Sequence, residues 1–290
     1  MSLHGEAINN ALRHYTPSFP PRGELFFARR FLDHFFPDPS GDYIGQVERA
    51  ARLLGLSVVG VDLNGEPSRS LPGERNYERL MKYFTVGYIN GPVLQAIAKL
   101  GFRQAMVCIK KDRRAFLEST WIHIKDIEEK SRLARDNGLC AIALADDIAG
   151  NRGLLFSYED FTATILPLYK QIADVIKANG LFAFFHSDGD TTKIIEPLIN
   201  AGYDCIHPVD AQAGLNLYKL NNIFRDRVVL MGHIDIITWP EERISREVNQ
   251  AKNIFRDGGL ILGSTCGLSL ETISDRLNAL YPQWKRIKKC

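Results

Sequence analysis

The sequence has no long run of apolar residues, and this absence argues against a protein that spans a membrane. Its apolar stretches are far shorter than the roughly 18 residues that cross a bilayer as a helix. The opening residues, Met1-Ser-Leu-His-Gly-Glu-Ala, also lack the apolar core of a secretory signal peptide. We therefore expect a soluble protein that works in the cytoplasm.

The sequence also lacks an excess of charge of one sign. Lys and Arg together number 36 and Asp and Glu together number 34, which gives a formal net charge of +2. A protein that binds nucleic acid or an anionic membrane surface needs a basic excess on one face. The composition therefore predicts that neither nucleic acid nor a membrane is a partner.

Cysteine is scarce and scattered. The chain has five cysteines, an odd number, and they do not form the dense framework of a small secreted domain. We expect them to be reduced, so that any functional one acts as a ligand or a nucleophile. Four have an apolar setting typical of core residues or lie at the chain end: Cys108, Cys140, Cys205 and Cys290.

A dinucleotide-binding fingerprint is missing as well, because no predicted strand is followed by G-x-G-x-x-G. The chain instead alternates segments of helical periodicity with seven short apolar runs that read as strands. These runs cover residues 57–63, 84–90, 140–147, 182–186, 205–210, 227–235 and 260–266. A length of 290 residues fits a (β/α)8 TIM barrel of about 250 residues with an extension. We predict one TIM-barrel domain over residues 1–290, with a helical N-terminal extension in residues 1–40.

Several segments outside the strands are less regular. A helix that begins at Ala7 to Tyr15 is broken by prolines, so residues 1–23 are predicted to form an arm. Helices are predicted at residues 74–83, at 158–179 with a kink at Pro167, and at 269–287. The apolar run Ala105 to Ile109 fits either a strand or a helix.

An aromatic cluster lies between Phe26 and Phe36. It is too apolar for a solvated face, so it belongs to the core or to a helix that covers the barrel. The alternative is a hydrophobic lip for a partner protein or for a second subunit in a homodimer.

Polar residues collect at the carboxyl end of nearly every predicted strand. In a closed barrel these ends converge on one mouth, where the active site of such folds lies. His186 and Asp188 are two residues apart and can therefore point in the same direction. The full set is Asp62, Asn90, Asp147, His186, Asp188, Asp210, Asp235 and Cys266.

Part of this set could bind a metal. His186, Asp188, Asp210 and Cys266 offer a nitrogen, two carboxylates and a thiolate, which suit zinc. The alternative is a carboxylate-lined pocket for an organic substrate, and the spacing does not choose between the two. His207 and His233 follow apolar runs and are more typical of structural histidines, and Asp62 can simply cap a turn.

Seven segments, in this order, resemble the uroporphyrinogen decarboxylase superfamily over roughly residues 40 to 287. The superfamily has a (β/α)8 barrel. One branch decarboxylates a tetrapyrrole without a cofactor, and the other moves methyl groups to or from corrinoids with zinc. The segments are Asp146-Asp-Ile-Ala-Gly, Leu155-Phe-Ser-Tyr-Glu-Asp-Phe, Phe185-His-Ser-Asp-Gly-Asp, Ile206-His-Pro-Val-Asp, Ala213-Gly, Gly232-His-Ile-Asp and Gly259-Leu-Ile-Leu-Gly-Ser-Thr-Cys-Gly.

The resemblance favours the methyltransferase branch. The R-Q-A-G-R and G-H-G motifs of the decarboxylases are absent. In the H-x-C pattern of the zinc methyltransferases, His186 and the later Cys266 match ligands, whereas Asp188 stands where the family has a cysteine. Asp210 occupies a place comparable to an acidic ligand of more distant zinc relatives. A carboxylate is a harder ligand than a thiolate, so this exchange should weaken the preference of the site for zinc.

The resemblance therefore implies a zinc-dependent methyltransferase that works with methylcobalamin or another corrinoid on a partner protein and with a small methyl donor or acceptor. Asp147, Asn90 and Asp210 would act on the substrate, and Asp235 and Tyr158 would help to bind it. One alternative is a cofactor-free tetrapyrrole decarboxylase. The other is a non-catalytic binding protein whose metal site has degenerated.

Overall fold

The structure is a computed structural model, and it describes residues 8–13, 20–64, 77–272 and 275–287. Eight parallel strands form one sheet whose neighbours follow chain order. An antiparallel hairpin of two strands, each two residues long, lies outside this sheet. The strands are β1 Gly23–Glu24, β2 Val58–Asp62, β3 Phe84–Asn90, β4 Ala141–Ala145, β5 Ala149–Gly150, β6 Gly153–Leu154, β7 Phe182–His186, β8 Cys205–His207, β9 Val229–Ile234 and β10 Leu260–Ser264.

The sheet closes on itself between β1 and β10. Arg22 forms a parallel bridge with Leu262, and the Leu262 N–H donates to the Pro21 carbonyl at 2.8 Å. The two strands beside the short strand β1 are β2 and β10. Both carry a glycine where the backbone of the β1 segment approaches them closely. A Cβ on Gly60 would lie 1.9 Å from the Leu25 carbonyl oxygen, and one on Gly263 would lie 2.0 Å from that of Gly23. The predicted TIM barrel is confirmed.

Helices surround the barrel and cover its outer surface. The strands are buried on both faces, which explains why they read as continuous apolar runs. The α-helices of eight or more residues are Tyr43–Leu54, Pro92–Leu100, Phe102–Lys111, Arg113–Asp136, Leu166–Ala178, Leu217–Phe224 and Glu241–Ile254. Shorter helical pieces include Arg29–Phe35, Tyr158–Asp160, Ile195–Ala201, Leu277–Leu280 and Trp284–Ile287.

The barrel interior is packed with side chains from alternate strand positions. Large and small residues face each other there, with Phe84 and Phe184 beside Ala141 and Ala143. The amino end of the barrel is filled by residues 8–13, which are helical and contribute the buried Ile8 and Leu12 to this cluster. Asn9 fixes that helix, because its Oδ1 accepts the Gly259 N–H at 2.9 Å. We refer to this helix as the floor helix.

The predicted arm over residues 1–23 was wrong for the residues that the structure describes, and strand β1 was not predicted. Within residues 1–23, the described part is not an arm but a floor helix followed by the start of β1. Strand β1 was missed because a two-residue strand is too short to show periodicity. Most of the cluster between Phe26 and Phe36 belongs to the core, since Phe27, Phe31 and Phe36 are buried.

Other predicted helices also need correction. The predicted terminal helix over 269–287 is a series of short turns that includes Leu270–Thr272, Leu277–Leu280 and Trp284–Ile287. The predicted helix over 74–83 is represented by the 3-10 turn Tyr77–Leu80, and residues 74–76 lie outside the described part. The run Ala105 to Ile109 lies in the helix Phe102–Lys111.

The predicted disturbance near Pro167 takes the form of a π-helical turn, Phe161–Ile165. Proline has no N–H for the helix ladder, so the preceding turn widens. Among the residues that the structure describes, none of the helices has the length and apolar character needed to cross a membrane.

Candidate metal centre

Neighbouring strands β4 and β7 bring three side chains together at the mouth of the barrel. Their register pairs Ala145 with His186, so Asp147 and Asp188 follow side by side at the carboxyl ends. The loops after both strands are tied together. The Asp188 N–H donates to Asp147 Oδ1 at 3.0 Å, and the Ile148 N–H donates to Ser187 Oγ at 3.1 Å. These hydrogen bonds hold the two loops together and orient the Asp147 carboxylate beside the imidazole.

The three side chains form a donor group, which we define as Asp147, His186 and Asp188. One ligand atom from each lies within 4.8 Å of the other two. His186 Nε2 is 3.5 Å from Asp147 Oδ1 and 4.0 Å from Asp188 Oδ1. No hydrogen bond joins the imidazole to either carboxylate at these distances.

The electrostatics of the donor group favour a neutral imidazole beside two carboxylates. Burial lowers the pKa of His186 to about 4, although the charge of Asp147 acts in the opposite direction. The surrounding protein and the charges of Asp147 and Asp210 raise the pKa of Asp188 to about 6. At neutral pH the imidazole is therefore neutral and Asp188 is mainly ionised, beside the carboxyl group of Asp147.

A second histidine lies directly beneath the donor group. His186 Nδ1 and His207 Nδ1 are 2.8 Å apart, and both rings are buried. Phe26 packs edge-on against them, with ring centroids 4.7 Å from His186 and 6.0 Å from His207. Burial and the neighbouring His186 ring lower the pKa of His207 well below its usual value.

The donor group fits a divalent cation. Ligands about 2.1 Å from a tetrahedral ion lie roughly 3.4 Å from one another, close to the 3.5 Å and 4.0 Å separations at His186. Two carboxylates carry the charge that neutralises a divalent ion. Because His186 Nδ1 is engaged with His207, the ring would bind an ion through Nε2, the atom that lies nearest both carboxylates.

Two predicted ligands lie outside the donor group. Asp210 Oδ1 accepts the Gln212 N–H at 2.8 Å, and its charge raises the pKa of Asp188. Cys266 follows β10 at the rim of the mouth. Its surroundings and the charges of Glu24, Asp235 and Asp188 raise the pKa of the thiol to about 12. Both residues are thus electrostatically linked to Asp188, and their role as ligands stays a prediction.

The predicted substrate residues have different settings. Asn90 ends β3, where its carbonyl lies 2.5 Å from His123 Nε2 and its N–H donates to Asn64 Oδ1 at 2.6 Å. Asp235 is buried, and its carboxylate accepts hydrogen bonds from Thr238, Ile237 and Gln212. Tyr158 is 43% exposed in the first turn after the hairpin. None of the three belongs to the donor group, and their contact with substrate stays a prediction.

Two acids that are adjacent in sequence have different functions. Asp147 turns into the mouth, whereas Asp146 turns outward and caps the helix Pro92–Leu100. Its carboxylate accepts the N–H groups of Val93 at 2.9 Å and Leu94 at 2.7 Å, and the Tyr169 hydroxyl at 2.8 Å. Because successive side chains of a strand point to opposite faces of the sheet, the side chains of Asp146 and Asp147 are expected to point in opposite directions.

Sequence reasoning overlooked two aromatic contacts and one histidine at this site. Phe26 packs against His186, and Tyr88 packs against Phe26 with ring centroids 4.8 Å apart. His207 was classed as structural, although it touches the proposed ligand directly. The signal for His207 was its position: the register pairs it with His186 on the next strand.

The fold is shared with several solved structures. A methyltransferase from Methanosarcina mazei superposes with a TM-score of 0.72 at 15% identity, over 97% of this chain and 98% of that protein. A family 2 AP endonuclease from Brucella melitensis gives a TM-score of 0.52 at 10% identity, over 90% and 96%. The GH26 domain of an endo-beta-mannanase/endo-beta-glucanase from Prevotella bryantii gives 0.53 at 11%, over 99% and 93%. At these identities the likeness shows the fold alone.

No curated protein matches the chain in sequence. The family model described as uroporphyrinogen decarboxylase (URO-D) matches residues 89–286, which contain the donor group, His207 and Cys266. This match covers more than half of the chain and confirms the resemblance noted in the sequence. The protein belongs to the uroporphyrinogen decarboxylase family.

Proposed function

We propose that this protein is a metal-dependent methyltransferase of the cytoplasm, which moves a methyl group between a corrinoid on a partner protein and a small substrate. The observation that carries the proposal is the donor group at the barrel mouth, in which a neutral imidazole faces two carboxylates. Zinc is the ion we expect there. When bound, the ion would act as a Lewis acid and lower the pKa of a substrate heteroatom.

The chain's own residues prepare this site. Burial keeps His186 neutral, so one of its ring nitrogens retains a lone pair for a cation at neutral pH. Asp147 is oriented by the Asp188 N–H. In the absence of a cation, Cys266 stays a thiol, because its surroundings and three nearby carboxyl groups oppose the thiolate. We propose that Cys266 ionises only as a ligand, so that its participation depends on the metal.

The mouth also supports a binding surface for the substrate. Phe26 provides an apolar surface next to His186, and Tyr88 packs behind Phe26. We propose that Asn90, Asp210, Asp235 and Tyr158 line or position the substrate around it.

The charge of the mouth argues against the tetrapyrrole decarboxylase alternative. That reaction requires cationic groups for several substrate carboxylates. The described strand ends instead carry acids, which would repel such a substrate: Asp62, Asp147, Asp188 and Asp210.

The test is methyl transfer by protein loaded with zinc. Methylcobalamin is supplied with a panel of small thiols, and cob(I)alamin is supplied with methylated thiols, amines and phenol ethers, while the corrinoid spectrum is followed. We expect turnover with at least one compound and a loss of rate in His186→Ala. Asp62→Ala, which changes a mouth acid outside the donor group, should retain the rate. No turnover in either direction by zinc-loaded protein would contradict the proposal.

A further inference from the structure

We propose that His207 is a positioning residue that holds His186 in the tautomer whose Nε2 carries a lone pair toward the metal. This inference rests on the metal site of the proposed function. His207 itself is not a ligand in this arrangement, because both of its ring nitrogens are directed at protein groups.

The contact between the two rings carries a single proton. His186 Nδ1 and His207 Nδ1 are 2.8 Å apart, so one nitrogen donates and the other accepts. If His207 donates, His186 must carry its own proton on Nε2. If His207 accepts, the His186 proton is on Nδ1 and Nε2 is bare.

Neither carboxylate of the donor group forms a hydrogen bond with His186 Nε2. Asp147 Oδ1 is 3.5 Å away, beyond a good hydrogen bond, and it already accepts the Asp188 N–H at 3.0 Å. Asp188 Oδ1 is farther still, at 4.0 Å. Nε2 is thus not engaged as a donor. It can bind a cation only when His186 carries its proton on Nδ1 and donates it to His207.

The environment of His207 supports the same assignment. The backbone of Ser264 forms a hydrogen bond with its ring that favours the protonated nitrogen. Nδ1 faces His186, so the contact with the Ser264 backbone leaves Nε2 as the nitrogen that carries the proton. A neutral ring protonated at Nε2 can only accept at Nδ1.

The resulting chain runs from the Ser264 backbone through His207 to His186. It leaves a bare lone pair on Nε2 opposite two carboxylates, where a bound cation would lie between them. Metal-bound histidines usually donate their second N–H to a carboxylate, a carbonyl or water. Here a buried histidine, itself anchored to the backbone, provides the acceptor, and Phe26 packs against both rings.

The test compares three variants with the wild-type protein. His207→Phe keeps a ring but removes the acceptor, and His207→Asn keeps an acceptor oxygen near the position of Nδ1. His233→Asn is the matched control, because His233 is a buried histidine on the next strand that bonds to Glu247 outside the mouth. Thermal unfolding establishes that each variant is folded.

The first readout is the Kd for zinc and for cobalt(II), measured by competition with a chelator. We expect His207→Phe to weaken binding by about 10- to 100-fold, the usual cost of removing such a partner. His207→Asn should recover most of the affinity, and His233→Asn should match the wild type. Equal affinity in folded His207→Phe and wild type would overturn the inference.

The second readout needs no metal. Nitrogen NMR of the histidine rings in the metal-free protein should show His186 protonated at Nδ1 and bare at Nε2, with a mixture of tautomers in His207→Phe. A wild-type ring protonated at Nε2 would overturn the inference. If the wild type binds no metal, the proposed function fails, while this spectrum still decides the tautomer.

Discussion

Adjacent residues with the same side chain can be distinguished by the atoms they touch, as Asp146 and Asp147 illustrate. Asp146 is buried and accepts three hydrogen bonds from the helix Pro92–Leu100 and from Tyr169. Asp147 faces His186 and the open mouth. The sequence predicted that this pair ends a strand, but only strand alternation with a known inward face tells which acid enters the site.

This difference gives a paired prediction. Asp146→Ala should lower the free energy of unfolding by about 2 to 4 kcal/mol, because it removes a helix cap and leaves buried donors unpaired. Asp147→Ala should change stability by less than about 1 kcal/mol and abolish stoichiometric metal binding. Urea unfolding and metal analysis of both variants check this. Equal destabilisation by the two changes would contradict the assignment.

The second residue-scale prediction concerns Asp188, which stands where zinc methyltransferases carry a cysteine. Asp188→Cys replaces a hard carboxylate with a softer thiolate, which zinc prefers. We expect zinc affinity to rise on the order of tenfold, about 1.4 kcal/mol, and manganese affinity to fall. Parallel competition titrations with both ions measure the change. Unchanged affinity for both ions in the variant would show that this position does not contact the ion.

The predicted ligands His186 and Asp188 meet in the structure because they share one strand end. Asp147, which we assigned to the substrate, joins them because β4 neighbours β7. Order along the chain cannot give the distances across the mouth, so it did not show that Asp210 and Cys266 lie outside the donor group. The resemblance predicted that these residues bind a metal, whereas the distances between them follow from the strand register of the structure.

At the scale of elements, strand β1 is held by a buried carboxyl group. Glu24 accepts the Ser264 N–H at 2.9 Å and its hydroxyl at 2.7 Å, and Tyr281 also donates to it. Burial raises the pKa of Glu24 to about 7, against the effect of these hydrogen bonds. The residue thus links the first strand, the last strand and the C-terminal turns.

The raised pKa predicts a pH dependence of stability. Between about pH 4.3, the unfolded value, and pH 7, the folded protein binds more protons at Glu24. The free energy of unfolding should therefore fall as pH rises through this window, by up to about 3 kcal/mol, and level off above it. Asp146, with its pKa raised to about 7, adds to the same trend.

Glu24→Gln isolates the contribution of Glu24. Urea unfolding at pH 5 and pH 8 should show a smaller loss of stability with rising pH in the variant than in the wild type, by about 2 kcal/mol. The Asp146 contribution remains in both proteins. The same pH dependence in wild type and variant would mean that Glu24 is ionised in the folded protein across the range.

Elements with a strong periodicity were predictable, and elements fixed by tertiary contacts were not. The strands from β2 to β10 of the barrel follow from buried apolar runs between turns. Strand β1 depends instead on the bridge between Arg22 and Leu262 and on close approach at Gly60 and Gly263. The C-terminal turns are stabilised by packing of Trp284 and Tyr281 rather than by helix propensity.

At the scale of the whole molecule, the floor helix that stabilises the fold and the donor group lie at opposite ends of the barrel. The floor helix closes the amino end with Ile8 and Leu12, whereas the donor group lies at the carboxyl end. Leu12→Ala should lower the free energy of unfolding by about 3 kcal/mol, as for other buried leucines. Its zinc affinity should match the wild type. Loss of zinc binding in the folded variant would contradict this separation.

The metal content of the protein tests the proposed site most directly. Protein purified without chelator, then supplied with zinc and dialysed, is analysed for metal beside His186→Ala, Asp147→Ala and the control Asp62→Ala. We predict about one zinc ion per chain in wild type and control, as four-coordinate sites bind one ion, and none in the other two variants. No stoichiometric metal in the wild type, or full retention in His186→Ala, would contradict the metal centre.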